Sequence, residues 1–192
     1  FAYPFRGYWV DVGTIAAYWK TNLALLDDEP GLDLNDQSWV IHTRSEERSP
    51  VNIRTGATAL HSLITDGCTI EGTVEYSVLS PGVRVERGAV VRYSIIMTDT
   101  VIRAGAMVDR SIVDKSVEVG EGAQIGSGAD YTPNRLTDLS SGLTLVGKNA
   151  TLPPNVKIGR NCIIAGDVRP QDFIADTVPS GTVVGFVPGD SG

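Results

Sequence analysis

Hydrophobic residues in the middle of the chain recur every six positions, a period that fits neither a strand, which repeats every two residues, nor a helix, which repeats every 3.6. The segment VDKSVEVGEGAQIGSGAD, residues 113–130, divides into three similar units of six. The same register runs upstream without a gap through Val83, Ala89, Ile95, Val101, Met107, Val113, Val119 and Ile125. A six-residue unit suits one short strand followed by a tight corner, and three units close a triangular coil.

The pattern therefore predicts a mainly β fold, a parallel β-helix in which the first residue and the small fifth residue of each unit point inward. Resemblance to hexapeptide-repeat proteins implies that the helix is left-handed. Eighteen residues per coil would stack Val83, Val101 and Val119 in one column, Ala89, Met107 and Ile125 in a second, and Ile95 and Val113 in a third.

Some second positions, which usually suit a corner, are apolar here: Val90, Ile96, Ile102 and Val108. They are either alternative inward residues in a shifted register, or apolar surface that contacts a partner or another domain. Further upstream the units begin at Ile64 and Ile70, with Tyr76 in the next place, and the pattern resumes at 146–169.

The N-terminal part predicts a helix, because TIAAYWKTNLALL carries Ile15, Trp19, Leu23 and Leu26 at helical spacing. Thr14 could cap its start, and DDEPG would end it. We expect the end of one domain at 1–27, a linker at 28–59 and the β-helix at 60–187. Within the linker, Trp39, Val40 and Ile41 resemble a docking strand.

The repeat is interrupted at 131–145, where we expect an inserted loop that either carries function or is a neutral insertion. The first residues, FAYPFRGYW, suggest that the sequence belongs to a larger protein.

Composition narrows the class of protein. A net charge of -7 argues against nucleic-acid binding, since phosphate contacts need clustered basic residues. No apolar run is long enough to span a membrane. The two cysteines, Cys68 and Cys162, form no CxxC pair, and we expect reduced packing residues in a cytosolic protein.

Candidate chemistry is sparse. The two histidines, His42 and His61, are too few for a three-histidine metal site and have no neighbouring carboxylates, so we expect ordinary surface residues. No GxxxxGK[ST], GxGxxG or GxSxG motif is present. In FRGYWVDVGT, Asp11 precedes the predicted helix, where its carboxylate could hold Mg²⁺ with a phosphate or simply form a turn.

The segments PFRGYWVDVGTIAAYWKTNLALL and LDLNDQSWVIHTR, followed by hexapeptide repeats, resemble the bacterial glucose-1-phosphate adenylyltransferases over nearly the whole chain. The resemblance implies a short strand-helix remnant of an α/β nucleotidyltransferase domain ahead of the β-helix. It also implies Mg²⁺-dependent synthesis of ADP-glucose and pyrophosphate from ATP and glucose 1-phosphate, for glycogen, in a cytoplasmic homotetramer controlled by a small anionic effector.

By the same resemblance, Asp11 is the catalytic and metal-binding aspartate, although Val10 stands where relatives often have a basic residue. Asp99, Lys115 and Lys148 match effector-binding positions, and solvated corner residues are the alternative for the two lysines. Two other functions stay open: a hexapeptide acyltransferase using His61 as base, and a non-catalytic scaffold paralogue.

Overall fold

The computed structural model describes residues 2–34, 36–38, 40 and 47–185, and it confirms the predicted left-handed parallel β-helix. Three parallel sheets of six, seven and seven strands form the sides of a triangular prism. Each strand pairs with its counterparts in the coils above and below. Trp39, Ile41 and His42 lie outside the described residues.

The strands are numbered in chain order and are two or three residues long. Sheet A contains β1 (Asn52–Ile53), β4 (Thr69–Ile70), β7 (Arg84–Val85), β10 (Val101–Ile102), β13 (Glu118–Val119) and β16 (Thr151–Leu152). Sheet B contains β2 (Thr58–Leu60), β5 (Thr73–Glu75), β8 (Val90–Arg92), β11 (Met107–Asp109), β14 (Gln124–Ile125), β17 (Lys157–Ile158) and β19 (Thr177–Val178). Sheet C contains β3 (Leu63–Ile64), β6 (Val78–Leu79), β9 (Ile95–Ile96), β12 (Ser111–Val113), β15 (Thr144–Val146), β18 (Ile163–Ile164) and β20 (Val183–Val184).

The inward register differs from the prediction in the central coils. Ile96, Ile102 and Val108 point into the core and are completely buried, whereas Val101 and Met107, which we expected inside, lie half-buried on the outer face. Val83, Ala89, Val113, Val119 and Ile125 are buried in the core as expected. Ile95 is also buried, but on the outer face of sheet C, because its strand neighbour Ile96 points inward. The apolar second positions are thus alternative inward residues, except for Val90, which is half-buried.

A short corner explains the shift. The chain advances six residues from Ile102 to Val108 but only five from Val108 to Val113, where it passes from sheet B to sheet C. Ile96 consequently pairs with Val113, seventeen residues later, and the predicted coil of eighteen residues is wrong here.

The B–C corner is occupied by one bulky residue per coil with positive φ: His61, Tyr76, Tyr93 and Arg110. Their side chains form a ladder, in which the rings of His61 and Tyr76, and of Tyr76 and Tyr93, stack with centroids 5.2 Å apart. The Arg110 guanidinium lies 5.4 Å from the Tyr93 ring centroid. Tyr76 is therefore a corner residue and not the inward residue that the six-residue register suggested.

The predicted helix is confirmed as α1 (Ile15–Ala24), with Thr14 as its N-cap accepting a hydrogen bond from the Ala17 amide. A short 3-10 helix spans Pro170–Asp172. Among the described residues, neither helix is long and apolar enough to cross a membrane. The strand expected before α1 is not formed in residues 2–14, which lack the hydrogen-bonding neighbour that a strand requires.

Two boundaries also differ. The first coil begins at Asn52–Ile53, so the β-helix starts inside the segment that we expected to be linker. The inserted loop spans 126–143, because Gln124–Ile125 precedes it and Thr144–Val146 already pairs in sheet C.

The loop is held to the β-helix by polar side chains from later coils. Asn161, fully buried, donates from Nδ2 to the carbonyls of Tyr131 and Thr132, and its Oδ1 accepts from the Gly142 amide. The Arg160 Nε donates to the Gly128 carbonyl at 2.9 Å. The loop is therefore an ordered part of the surface.

A buried ion pair lies beneath this loop. Arg160 Nη2 donates to Asp109 Oδ2 at 3.0 Å, and the two side chains are 9% and 7% exposed. Arg92 also pairs with Asp109, with Nε 3.2 Å from Oδ1. A buried charge without a partner costs several kcal/mol, so separating this pair is unfavourable. The pair therefore holds Arg160, which anchors the loop, against the preceding coils.

Both cysteines are unpaired and buried, as expected for packing residues. Burial raises the pKa of the Cys68 and Cys162 thiols. Neutral thiols behave as small apolar side chains in such a core.

The observed register predicts unequal effects at two neighbouring residues of β10. Ile102→Ala should lower the free energy of unfolding by about 2–5 kcal/mol, because the lost methyl groups leave a cavity. Val101→Ala, which changes the outer face, should cost about 1 kcal/mol or less. Urea denaturation of both variants measures the difference, and an equal or larger loss at Val101 would contradict the observed register.

Candidate functional site

Asp11 lies in the exposed segment just before α1. Its Oδ1 accepts a hydrogen bond from the Gly13 amide at 2.8 Å, and the capped helix begins two residues after Gly13. This turn gives the carboxylate a defined place at the N-terminal end of α1.

An apolar groove of about 560 Å³ separates this segment from the outer face of sheet C. One wall is formed by Val12, Gly13, Thr14, Ile15 and Tyr18. The opposite wall is formed by Met97, Ile112, Asp114, Leu145, Val146, Gly147, Ile163, Ile164, Ala165 and Gly166. Asp11 is thus adjacent in sequence to a groove residue, Val12.

The three predicted effector residues lie along one edge of the prism, the corner between sheets C and A. Ser116, which follows Lys115, donates its amide to the Thr98 carbonyl, and Asn149, which follows Lys148, donates to the Lys115 carbonyl. Lys115 and Lys148 therefore occupy neighbouring rungs, about 4.8 Å apart at the backbone. Both side chains are exposed.

This edge borders the groove. Lys115 follows Asp114, and Lys148 follows Gly147, and both preceding residues line the groove wall. The structure thus brings the Asp11 segment and the two lysines to opposite sides of one cavity, although about a hundred residues separate them in sequence.

Asp99 has a partner that the sequence did not reveal. Arg48 forms a two-pronged ion pair with it, including an Nη2–Oδ2 hydrogen bond of 3.1 Å, and the hydrogen bonds from Arg48 lower the pKa of Asp99. The two side chains meet directly over Gly82, where an added Cβ atom would collide with both of them. Because the partners are 51 residues apart and Arg48 precedes the repeats, no local sequence pattern points to Arg48.

Two carboxylates near this edge partly offset its positive charge. Asp114 Oδ1 accepts from the Lys115 amide at 2.7 Å, and Asp167 Oδ1 accepts from Asn149 Nδ2 at 2.9 Å. A further basic group, Arg169, donates to Thr151 Oγ1 at 3.0 Å. Lys115 and Lys148 are exposed positive charges next in sequence to groove residues.

A divalent cation fits the chain only in part. Within the described residues no group of three or more His, Cys, Asp or Glu side chains could hold a metal ion. Within the part of the chain that the structure describes, Asp11 Oδ2 nevertheless accepts no hydrogen bond, and Mg²⁺ commonly uses one or two carboxylates together with water and substrate phosphates. A single carboxylate is compatible with that arrangement.

His61, the candidate acyl-transfer base, belongs to the ladder at the B–C corner, where its ring stacks on Tyr76. It faces a second groove, of about 450 Å³, between α1 and this corner. Among the described residues, no carboxylate hydrogen-bonds to the imidazole, so nothing here orients it as a general base.

Comparison with protein-family models matches residues 50–146 to the family described as GlmU-like, C-terminal hexapeptide. The chain belongs to this hexapeptide family. The match covers the coils from sheet A's first strand to β15, which are the coils that carry Asp99 and Lys115.

Curated relatives extend the hexapeptide match over nearly the whole chain. Glucose-1-phosphate adenylyltransferase of Thermomicrobium roseum is 56% identical over 95% of this chain and 43% of its own length. The enzyme of that name from Thermotoga maritima is 44% identical over 96% of this chain and 44% of its own length. The enzyme of that name from Acetivibrio thermocellus is 36% identical over 90% of this chain and 41% of its own length. The chain thus spans less than half the length of these nucleotidyltransferases and matches their C-terminal part.

Replacing Arg48 by Gln should raise the pKa of Asp99 towards its ordinary value. Because the folded-state pKa is the lower one, the pair stabilises the fold at pH values above about 3.9. That stabilisation is lost as the pH falls through the lowered value. An NMR titration of the Asp99 carboxyl carbon measures this, with Arg84→Gln, an exposed arginine on sheet A, as the control. An unchanged Asp99 titration in Arg48→Gln would contradict the ion pair.

Proposed function

We propose that this chain is the C-terminal regulatory and assembly part of a glucose-1-phosphate adenylyltransferase. The observation that supports this most directly is the groove between α1 and sheet C, with the Asp11 segment on one wall and Lys115 and Lys148 beside the other. A catalytic carboxylate and an effector edge whose sequence neighbours line opposite walls of one groove can influence each other through it.

In the parent reaction, a phosphate oxygen of glucose 1-phosphate attacks the α-phosphorus of ATP, and the bond to pyrophosphate breaks. Asp11 would hold Mg²⁺ through its carboxylate, with the remaining ligands from the substrates, water and the rest of the enzyme. The ion, when bound, offsets the negative charge that develops on the phosphate oxygens. The chain supplies the position of the carboxylate, through the Gly13 amide and the capped start of α1.

Regulation would act through the C–A edge. A small anionic effector would contact the ammonium groups of Lys115 and Lys148, which lie on neighbouring rungs. Asp99 would take part indirectly, because it pairs with Arg48 and so holds another basic side chain at the same edge. Anion binding there would be weakened by salt, since the lysines are exposed.

The remaining properties follow from this assignment. Half-buried apolar residues on the outer face of sheet C, such as Ile112, Leu145 and Ile163, offer contacts for another domain or subunit of a homotetramer. We propose a cytoplasmic enzyme that binds neither nucleic acid nor a membrane, in keeping with a net charge of -7. The 192-residue chain on its own would be inactive, because Asp11 is its one catalytic candidate.

Asp11→Asn in the full-length enzyme should lower turnover about 100-fold or more, because a neutral amide is a poor ligand for Mg²⁺. The unfolding midpoint should stay close to that of the parent, since Asp11 is exposed and an amide oxygen can still accept from Gly13. Steady-state pyrophosphate release measures turnover, with the exposed Asp28→Asn as the matched control. Parent-like kinetics would remove Asp11 from the active site.

Lys115→Ala should raise the effector concentration for half-maximal response about five-fold, the loss of roughly 1 kcal/mol from an exposed charge contact. Basal activity should be retained. Response curves with small phosphorylated and carboxylated metabolites, and with inorganic phosphate, measure this. Lys157→Ala, an exposed lysine on sheet B, is the control. An intact response in Lys115→Ala would refute the effector role.

A further inference from the structure

One directional contact joins α1 to the β-helix. The Trp19 indole Nε1 donates to the Tyr93 carbonyl at 2.8 Å. Among the described residues it is the one hydrogen bond from the α1 side chains to the coils. Another α1 side-chain donor, Asn22 Nδ2, bonds within the helix to the Tyr18 carbonyl. The surfaces that face each other across the groove are largely apolar, and apolar contacts do not fix a helix along or about its axis.

The acceptor of this bond belongs to a rigid part of the molecule. Tyr93 has a φ of 49° at the B–C corner, and its ring stacks against Tyr76 on one side and lies beside the Arg110 guanidinium on the other. Its amide donates to the Glu75 carbonyl of the coil above at 3.1 Å. The carbonyl that Trp19 contacts is therefore held by ring packing and by the stack of coils.

The donor is connected to Asp11 by a short segment with two side-chain hydrogen bonds to the backbone. Asp11 Oδ1 accepts from Gly13, Thr14 Oγ1 accepts from Ala17, and the helix continues through Trp19. Each residue between the carboxylate and the indole is thus in a hydrogen-bonded turn or in the helix. A shift at Trp19 moves the carboxylate with it.

We propose that Trp19 is a positioning residue, whose hydrogen bond to the Tyr93 carbonyl sets the place of the Asp11 carboxylate relative to the β-helix. This inference rests on the proposed metal-binding role of Asp11. Groups that orient a metal ligand typically change metal affinity or activity about 10- to 100-fold when they are removed. Misplacement of a reacting group by about 1 Å has a similar cost.

The test compares Trp19→Phe with Leu23→Ala in the full-length enzyme. Trp19→Phe removes the indole N–H and keeps an aromatic ring, whereas Leu23→Ala, in the same helix, loosens packing and keeps the hydrogen bond. We measure Mn²⁺ affinity by electron paramagnetic resonance in the presence of a non-hydrolysable ATP analogue. Turnover, substrate KM and the unfolding midpoint are measured in parallel.

Trp19→Phe should weaken Mn²⁺ binding and lower kcat about ten-fold or more, with little change in substrate KM or unfolding midpoint. Leu23→Ala should shift the unfolding midpoint more than the Mn²⁺ affinity. Parent-like Mn²⁺ binding in Trp19→Phe, or an equal loss in Leu23→Ala, would overturn the inference.

Asp11→Asn, titrated with Mn²⁺ alongside, separates this inference from the proposed function. Weakened binding in Asp11→Asn together with parent-like Trp19→Phe overturns the positioning role alone. Parent-like binding in Asp11→Asn overturns the metal role of Asp11, and the positioning role with it.

Discussion

Coil-on-coil stacking is the constraint on which this molecule depends. A strand of two or three residues forms too few hydrogen bonds to persist alone, so each coil is stabilised by the coils above and below it. The inward side chains must then match in size along three columns. Large aliphatic residues such as Ile102 and Val119 are accompanied by small ones such as Ala106 and Ala123, all completely buried. The stacking therefore restricts the choice of residue inside the core far more than at the corners.

The B–C and C–A corners carry different kinds of side chain. The B–C corner carries stacked rings, which compensate for the positive φ that bulky residues such as Tyr76 and Tyr93 otherwise avoid. The C–A corner carries Asp99, Lys115 and Lys148, where charge is exposed beside the groove. The proposed regulatory edge and the proposed anchor of α1 therefore lie on opposite borders of sheet C, with the helix between them.

The sequence was sufficient for the fold class, for α1 and for its cap, because each has a local signal: a six-residue period, helical spacing and a threonine before the first turn. The register failed where two adjacent residues are both apolar, as at Val101–Ile102 and Met107–Val108. The six-residue period fits either neighbour equally well. The five-residue step at the B–C corner determines which of the two points inward.

The site was less accessible to sequence reasoning. Resemblance supplied Asp11, Asp99, Lys115 and Lys148, and the structure added that the sequence neighbours of Asp11, Lys115 and Lys148 line one groove. Arg48 and the Trp19–Tyr93 hydrogen bond could not be predicted, because each joins residues 50 or more positions apart with no shared motif. Contacts of that kind depend on how the coils stack, which a local pattern does not encode.

The anchors of the inserted loop also have a temporal consequence. Arg160 and Asn161 hold residues 128–142, and Ser180 Oγ donates to the Asp130 carbonyl, so all three anchors come later in the chain than the loop itself. During synthesis the coils can form in order from the N-terminal end, but the loop must wait for about fifty further residues to emerge from the ribosome. The surface that this loop forms is therefore assembled only after the coils that contain Arg160, Asn161 and Ser180.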